Sequence, residues 1–317
     1  MADQSSAEVW QKLSEPFFSV QRLNSARMCT QHISRIWRVG PLVCLQCTCG
    51  GQILRRSPGL VEQSPGLIAV SQQLHGRSTG DTEGVPFGVR EGDVVVRDLD
   101  QTFDLLQYPS TFETILIPRE VLGLSSESGF ALAVLSEDDP ALQKTRLTLN
   151  AIFDGLRQAD ENVSLAQVRD LLLAVRAIVQ QPGLVRSPRR SVRQRQLKEI
   201  EAFLELHLGR LDLGAETLLP EFGASRATLY RLFERQGGIR SYIVERRLFR
   251  ALLDISSPPS RRGHIQQAAK RWGFSSAPNF NRSVQHVFGA PPGALFKTTA
   301  SAEAYVAQTG LSVPLSL

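Results

Sequence analysis

The sequence predicts an α+β chain of two domains, β-rich in its first half and all-α in its second. Three observations carry this. The length of 317 residues exceeds one typical domain of about 150 residues. Between Phe17 and about Pro118, short apolar runs are separated by Gly, Pro and Ser breakers, the pattern of strands joined by turns. From Val192 almost to residue 296, apolar residues recur at helical spacing with only brief breaks. The expected boundaries are 1–181 for the first domain, 182–191 for a linker, 192–300 for the second domain and 301–317 for a tail.

In the first domain the clearest strand candidates are Leu42–Cys47, Gly66–Val70, Gly92–Val96 and Phe112–Ile117. Turn clusters RRSPG, GRSTGDTEG and VREGD separate them. Many short strands with Gly and Pro turns suggest a barrel or sandwich. After Glu137 the breakers thin out, and Pro140–Leu156 and Ser164–Gln181 read as helices. In the second of these, Leu165, Val168, Leu171, Leu172, Val175, Ile178 and Val179 make an apolar stripe, Ser164 is a candidate N-cap, and Pro182–Gly183 is a stop. Either the chain's own β domain or the same helix of a second subunit must cover that stripe.

Composition excludes several classes. Hydrophobic residues make up 42% and charged residues 21%, which is not a disordered chain, a collagen-like fibre or a small disulfide scaffold. No run of about 18 apolar residues occurs, so neither a transmembrane helix nor a membrane partner is expected. The opening MADQSSAEVW has no basic region followed by an apolar stretch, so a secretory signal is not expected and the default compartment is the cytosol. The four cysteines are expected as reduced thiols.

Charge divides the chain. Residues 1–181 hold 16 Lys and Arg against 21 Asp and Glu, a net −5, whereas residues 182–300 hold 20 against 9, a net +11. That imbalance suggests that the second half meets a polyanion. The linker PGLVRSPRRS is basic and without periodicity, and the run RSPRRSVRQR is expected to brush a phosphate backbone.

The basic half contains two helix-turn-helix units. The first is LGAETLLPEFGASRATLYRLFERQ, residues 213–236. One helix ends near Phe222, Gly223 makes the turn and Ser225 caps the next. With Leu229, Leu232 and Phe233 facing in, Arg226, Ala227, Tyr230 and Arg231 face out, where Arg and Tyr suit phosphate and base-edge contact. The second unit is IQQAAKRWGFSSAPNFNRSVQHVF, residues 265–288. Ile265, Ala268, Ala269 and Trp272 face in, Gly273 makes the turn, and Ser276 caps a helix with Pro278 in its first turn. Phe280 and Val284 then face in, and Ala277, Pro278, Asn279 and Arg282 face out, together with Asn281. A helix over about Ile239–Asp254, roughly 22 Å long at 1.5 Å per residue, joins the units. Such a rod is of the scale needed to set two reading helices in successive major grooves, about 34 Å apart.

From about Leu197 to Phe296 these residues resemble the DNA-binding domain of AraC/XylS-type bacterial transcription regulators. The carrying pieces are GASRATLYRLFERQGG, RRLFRALLD and AAKRWGFSSAPNFNRSVQHVFGAPPGALF. Three departures stand out: Pro220 inside the first helix of the first unit, Leu219 where the family has a small Ala, and PPGALFK as the closing motif. An interior Pro costs about 3 kcal/mol unless the helix is kinked or short. The first 181 residues are similar, through LIAVSQQLHGRSTG, PFGVREGDVVVRDLDQTFDL and ILIPREVL, to the sensing half of such regulators. The resemblance implies a cupin-like barrel with two helices, a small-molecule effector, a homodimer formed through the helices, double-stranded DNA and RNA polymerase as partners, and nucleoid association. It implies an activator of a nearby operon rather than an enzyme.

Other constellations point to little chemistry. Cys44, Cys47 and Cys49 form C-x-x-C-x-C, but on a strand Cys44 faces opposite to the other two. A metal-dependent cupin-shaped enzyme, the rival reading, needs clustered His and carboxylate ligands. His32 and His75 lie far apart, and Glu62, Glu83 and Glu91 show no ligand spacing. His207, His264 and His286 read as solvated or core residues, and no phosphate-cradling Gly loop or Ser/Cys–His–Asp signature occurs. No metal or cofactor is therefore expected. A second alternative keeps DNA binding and gives the first half dimerisation alone.

Overall fold

Strands form where apolar and β-branched residues run between turn residues. The computed structural model describes residues 14–23, 33–63, 66–124, 130–137, 139–158, 163–180, 185–186, 192–257 and 263–296. The strands are β1 (Ser19–Arg22), β2 (Ile33–Val39), β3 (Leu42–Cys49), β4 (Gln52–Arg56), β5 (Leu67–His75), β6 (Ser78–Thr82), β7 (Val85–Val89), β8 (Val94–Asp98), β9 (Phe103–Gln107), β10 (Ser110–Pro118), β11 (Leu132–Leu135) and β12 (Val185–Arg186). They make a five-stranded sheet, β1-β4-β9-β6-β7, and a seven-stranded sheet, β12-β11-β8-β5-β10-β3-β2. The pairings are antiparallel except β11 with β12.

Both sheets are covered on both faces, and the period of two along each strand decides what goes where. On β8, Val94 and Val96 pack outward against helices, while Val95 turns inward to the other sheet. On β5, Ile68 and Val70 face out and Ala69 faces in. On β9, Phe103 and Leu105 face in, and Leu106 faces out. Near-continuous apolar runs such as VVV follow from this double burial.

The helices covering the seven-stranded sheet come from the segment after Glu137. A short helix, α1 (Pro58–Gln63), precedes α2 (Pro140–Arg157) and α3 (Leu165–Val179). Asp139 caps α2 by accepting the Ala141 N–H, and Ser164 caps α3 in a reciprocal pair with Gln167. The α3 stripe is occupied within the subunit: Leu171, Val175, Ile178 and Val179 are buried against the sheet with Leu149, Ile152 and Phe153 of α2. Of the two occupants the stripe allowed, this is the first. Leu173 and Leu165 of α3, 56% and 88% exposed, remain outside.

The all-α half contains α4 (Val192–His207), α5 (Ala215–Phe222), α6 (Arg226–Leu232), a 3-10 turn at Glu234–Gln236, α7 (Ile239–Ser256), α8 (His264–Arg271), α9 (Ala277–Phe288) and α10 (Pro292–Leu295). Three strands escaped the sequence reading: β6 (Ser78–Thr82) lies inside the GRSTGDTEG cluster read as a turn, where Gly and Asp mask a strand paired on both sides by β7 and β9, and β11 and β12 fall outside the stretch read as strands. β11 is four residues long, too short for its alternation to stand out, and β12 is a two-residue strand inside the expected linker. The rest of that linker, the tail and His32 lie outside the described residues.

Candidate nucleic-acid interface

In the first unit, α5 keeps its helix across Pro220 and ends at Gly223 in the left-handed region, at φ 56°. Pro220 is tolerated because the helix is only eight residues long, so few backbone bonds depend on that position. Ser225 then accepts the Thr228 N–H at 3.1 Å and starts α6. Leu229, Leu232 and Phe233 bury into a core with Leu218 and Ile200. Arg226, Ala227, Tyr230 and Arg231 are all exposed, Tyr230 to 67%. Arg226 pairs with Glu216 at 2.7 Å, with both side chains about three-quarters exposed, so a phosphate can compete for it at little cost.

In the second unit, Gly273 turns the chain at φ 75°, where a Cβ would lie 2.4 Å from the Leu208 carbonyl. Only Gly fits there. Ser276 accepts the Asn279 N–H and caps α9, whose Phe280, Val284 and Phe288 are fully buried. Pro278, Asn281 and Arg282 are exposed, whereas Ala277 and Asn279 are half-buried. Asn279 donates to Ser275 and accepts from Arg282. Asn279 and Arg282 thus form a coupled pair one turn apart on α9.

The rod between the units is α7, 18 residues long and about 27 Å at 1.5 Å per residue. One face of it packs on the outside of the five-stranded sheet. Glu245 accepts from Arg77 at 3.1 Å and from Arg90 at 3.1 and 2.5 Å. Arg246, 1% exposed, donates to Glu205 at 2.5 Å, to the Thr79 hydroxyl at 2.9 Å and to the Gly80 carbonyl at 2.7 Å. Arg250 bridges Asp81 and Glu205, each at 2.8 Å. Arg235 reaches Asp93 at 2.7 Å, and Arg55 of β4 donates to the Leu253 carbonyl at 2.8 Å. Burial pushes the Glu205 carboxyl up, but Arg246 and Arg250 outweigh it and hold the group below its ordinary value. Tyr108 stacks on Phe288 with ring centroids 5.5 Å apart and 5° between planes, and Arg77 lies 4.1 Å above the same ring.

These contacts correct the charge argument. Arg235 and Arg250 count toward the +11 of the basic half, yet Asp93 and Asp81 of the β-rich half pair with them, whereas Arg246 pairs with Glu205, which the sum already subtracts. The cationic surface left for DNA is smaller than the sum implies. The sequence reading also missed this clamp. Its signal was the run ERRLFR at 245–250, which places Glu245, Arg246 and Arg250 on a helix whose other face is apolar.

The opposite face of the same sheet lines a cavity of 640 Å³ between the two sheets. Alternation sets the division. Leu54, Ser78, Leu105 and Gln107 line the cavity, and their neighbours Arg55, Thr79 and Leu106 meet the helical half. Only the thickness of one sheet separates the cavity from the rod.

Cys44, Cys47, Cys49, His75 and His207 lie apart from the helix-turn-helix units' outer faces. Cys44 packs in the core beneath the helices, and burial pushes its thiol up to about 12. Cys47 and Cys49 share the other face with Phe112. No group of three or more His, Cys, Asp or Glu able to hold a metal occurs among the described residues. His75 lies 3.5 Å from Glu91 on the surface, and His207 meets the Phe203 carbonyl at 2.7 Å. Among the described residues no helix is long and apolar enough to cross a membrane.

Two capped helix-turn-helix units on one rod define a DNA-binding module of the transcription-regulator class. Residues 218–298 match the family described as a helix-turn-helix domain, which bears out the AraC/XylS-type resemblance over that segment. The chain is similar to the AraC-like transcriptional activator CuxR at 23% identity over 77% of this chain and 90% of that one, with a TM-score of 0.47. It is similar to ToxT from Vibrio cholerae O395 at 13% identity over 90% and 99% of the two chains, with a TM-score of 0.35.

Proposed function

We propose that the chain is an effector-responsive transcription activator, a non-enzymatic cytoplasmic DNA-binding protein that associates with the nucleoid and meets RNA polymerase at its target. The observation that supports this best is the shared sheet, with the cavity on one face and the α7 rod on the other. A ligand shifts a two-state equilibrium only by its differential affinity for the two states. A cavity whose wall is also the docking face for the reading module supplies such a difference. Arg226, Ala227, Tyr230 and Arg231 read one groove, and Ala277, Pro278, Asn279 and Arg282 read the next. Sequence-independent affinity comes from counterion release at the free Lys and Arg.

Because α6 is capped and packed despite Pro220, both helices read bases in this account. Arg231→Ala and Arg282→Ala should each cost about 1–3 kcal/mol and relax preference at different parts of the operator. Specificity profiles of the two variants check this. An unchanged profile for both rejects the helices as readers, and even weakening by Arg231→Ala alone reduces α6 to a phosphate contact.

Dimerisation belongs to the outer face of α3, since the inner stripe is occupied. Leu165, Arg169 and Leu173 recur there at i, i+4, i+8. Leu173→Asp should give monomers in sedimentation with the fold intact, whereas the buried Val175→Asp should unfold the domain. A dimer that survives Leu173→Asp moves the interface elsewhere.

A further inference from the structure

The cavity between the sheets has a predominantly apolar wall, including Leu54, Val89, Leu105, Phe112 and Leu116. Its charged lining residues are Arg97, Arg119 and Glu120. Arg119 is held by Asp98 and Asp100, and Glu120 is exposed. Arg97 is different. It projects inward from the fourth of the five residues of β8, one residue beyond the outward-facing Val96. Its guanidinium lies 4.4 Å from the ring centroid of Phe103 and 5.2 Å from that of Phe87. Its Nε is buried with no hydrogen-bond partner, and no carboxylate pairs with the group among the described residues. Burial pushes Arg97 down to about 10, so it remains a cation at neutral pH.

An unpaired cation in an apolar cavity is costly. Two ring faces repay part of that cost. A carboxylate arriving with a ligand repays more, because the guanidinium fork offers it paired, charge-assisted donors. We infer that the cavity binds a hydrophobic carboxylate, its apolar body between the two sheets and its carboxylate on Arg97. This rests on the reading of the cavity as an effector site and adds the chemical class of the effector. A flexible acyl chain and a rigid aromatic ring both present that chemistry.

Calorimetric titration of the full chain tests it, with dodecanoate and 1-naphthylacetate each set against its methyl ester. Wild-type protein should bind at least one acid about tenfold or more tighter than its ester. The acid that binds identifies the body as chain or ring. Arg97→Met should abolish the preference for acid, and Arg97→Lys should keep part of it. The Lys variant retains a cation, so it also serves if the Met variant fails to fold. Equal affinity for acid and ester, a preference that survives Arg97→Met, or no binding of either acid overturns the assignment. DNA affinity measured in the same samples separates the two readings. Acids and esters that bind alike and still shift DNA affinity leave the effector cavity standing and remove the role of Arg97. An Arg97-dependent preference with no change in DNA affinity leaves the ligand class standing and removes the regulation.

Discussion

Arg246→Met should lower the free energy of unfolding by about 3 kcal/mol, at the lower end of the cost of removing one partner from a buried ion pair. Arg246 is 1% exposed and joins three elements: Glu205 of α4, Thr79 and Gly80 of β6, and its own rod α7. Met fills much of the volume but leaves the Gly80 carbonyl and the Thr79 hydroxyl without their donor. Arg250 still holds Glu205, which keeps the loss from being larger. The neighbouring Arg250→Met should cost much less, about 1 kcal/mol, because that side chain is 23% exposed. Chemical unfolding of the three proteins checks the contrast. In Arg246→Met the coupling between the β-rich and helical halves should weaken without being lost, because the apolar core of Ile53, Leu106, Tyr108 and Phe288 and the remaining ion pairs still tie them. Equal losses for the two variants would mean that burial of Arg246 does not matter to the docking.

The second large effect is expected at Phe288. Its side chain is fully buried at the end of α9, in a core shared by α7, α8 and the outer face of the five-stranded sheet, and it stacks on Tyr108. Phe288→Ala should cost about 3–5 kcal/mol, the range for a deleted core Phe. The loss falls where the second unit meets the sheet. Binding through α9 should therefore weaken while α6, in a separate core with Leu218 and Phe233, keeps its grip. A footprint that shortens from one end is the readout. Tyr108→Phe should retain the stack and cost little, since the Tyr108 hydroxyl is buried without a hydrogen-bond partner. A footprint that weakens evenly along its length would contradict separate cores for the two units.

Much of this molecule was legible in its sequence, and the reason is local. Caps, turn glycines and helical periodicity are short-range signals. Ser164, Ser225 and Ser276 were read as caps and act as caps, and α7 begins at Ile239 as its periodicity predicts. The eight outward positions on α6 and α9 follow from 3.6 residues per turn, and of these only Ala277 and Asn279 are half-buried. What stayed hidden depends on pairings between distant residues. Glu245 with Arg77 and Arg90, or Arg250 with Asp81, joins residues more than 150 apart in sequence, and no local pattern announces such partners. Arg97 was invisible for the same reason: a charged residue in a strand normally marks the solvent face, and only the second sheet, laid over it, makes the site a cavity. The α3 stripe shows the remaining ambiguity. An apolar face states that it must be covered, and only tertiary structure identifies the cover as the chain's own sheet.

The most direct measurement is selection of binding sites from random duplex DNA by the intact protein. Two reading helices on one rod of about 27 Å predict two short preferred blocks on the same face of the duplex, their centres about one helical turn, 10–10.5 base pairs, apart. A single block would leave one of the two units without a reading role. Binding with no enriched sequence at all would contradict the central claim that the exposed faces of α6 and α9 read bases.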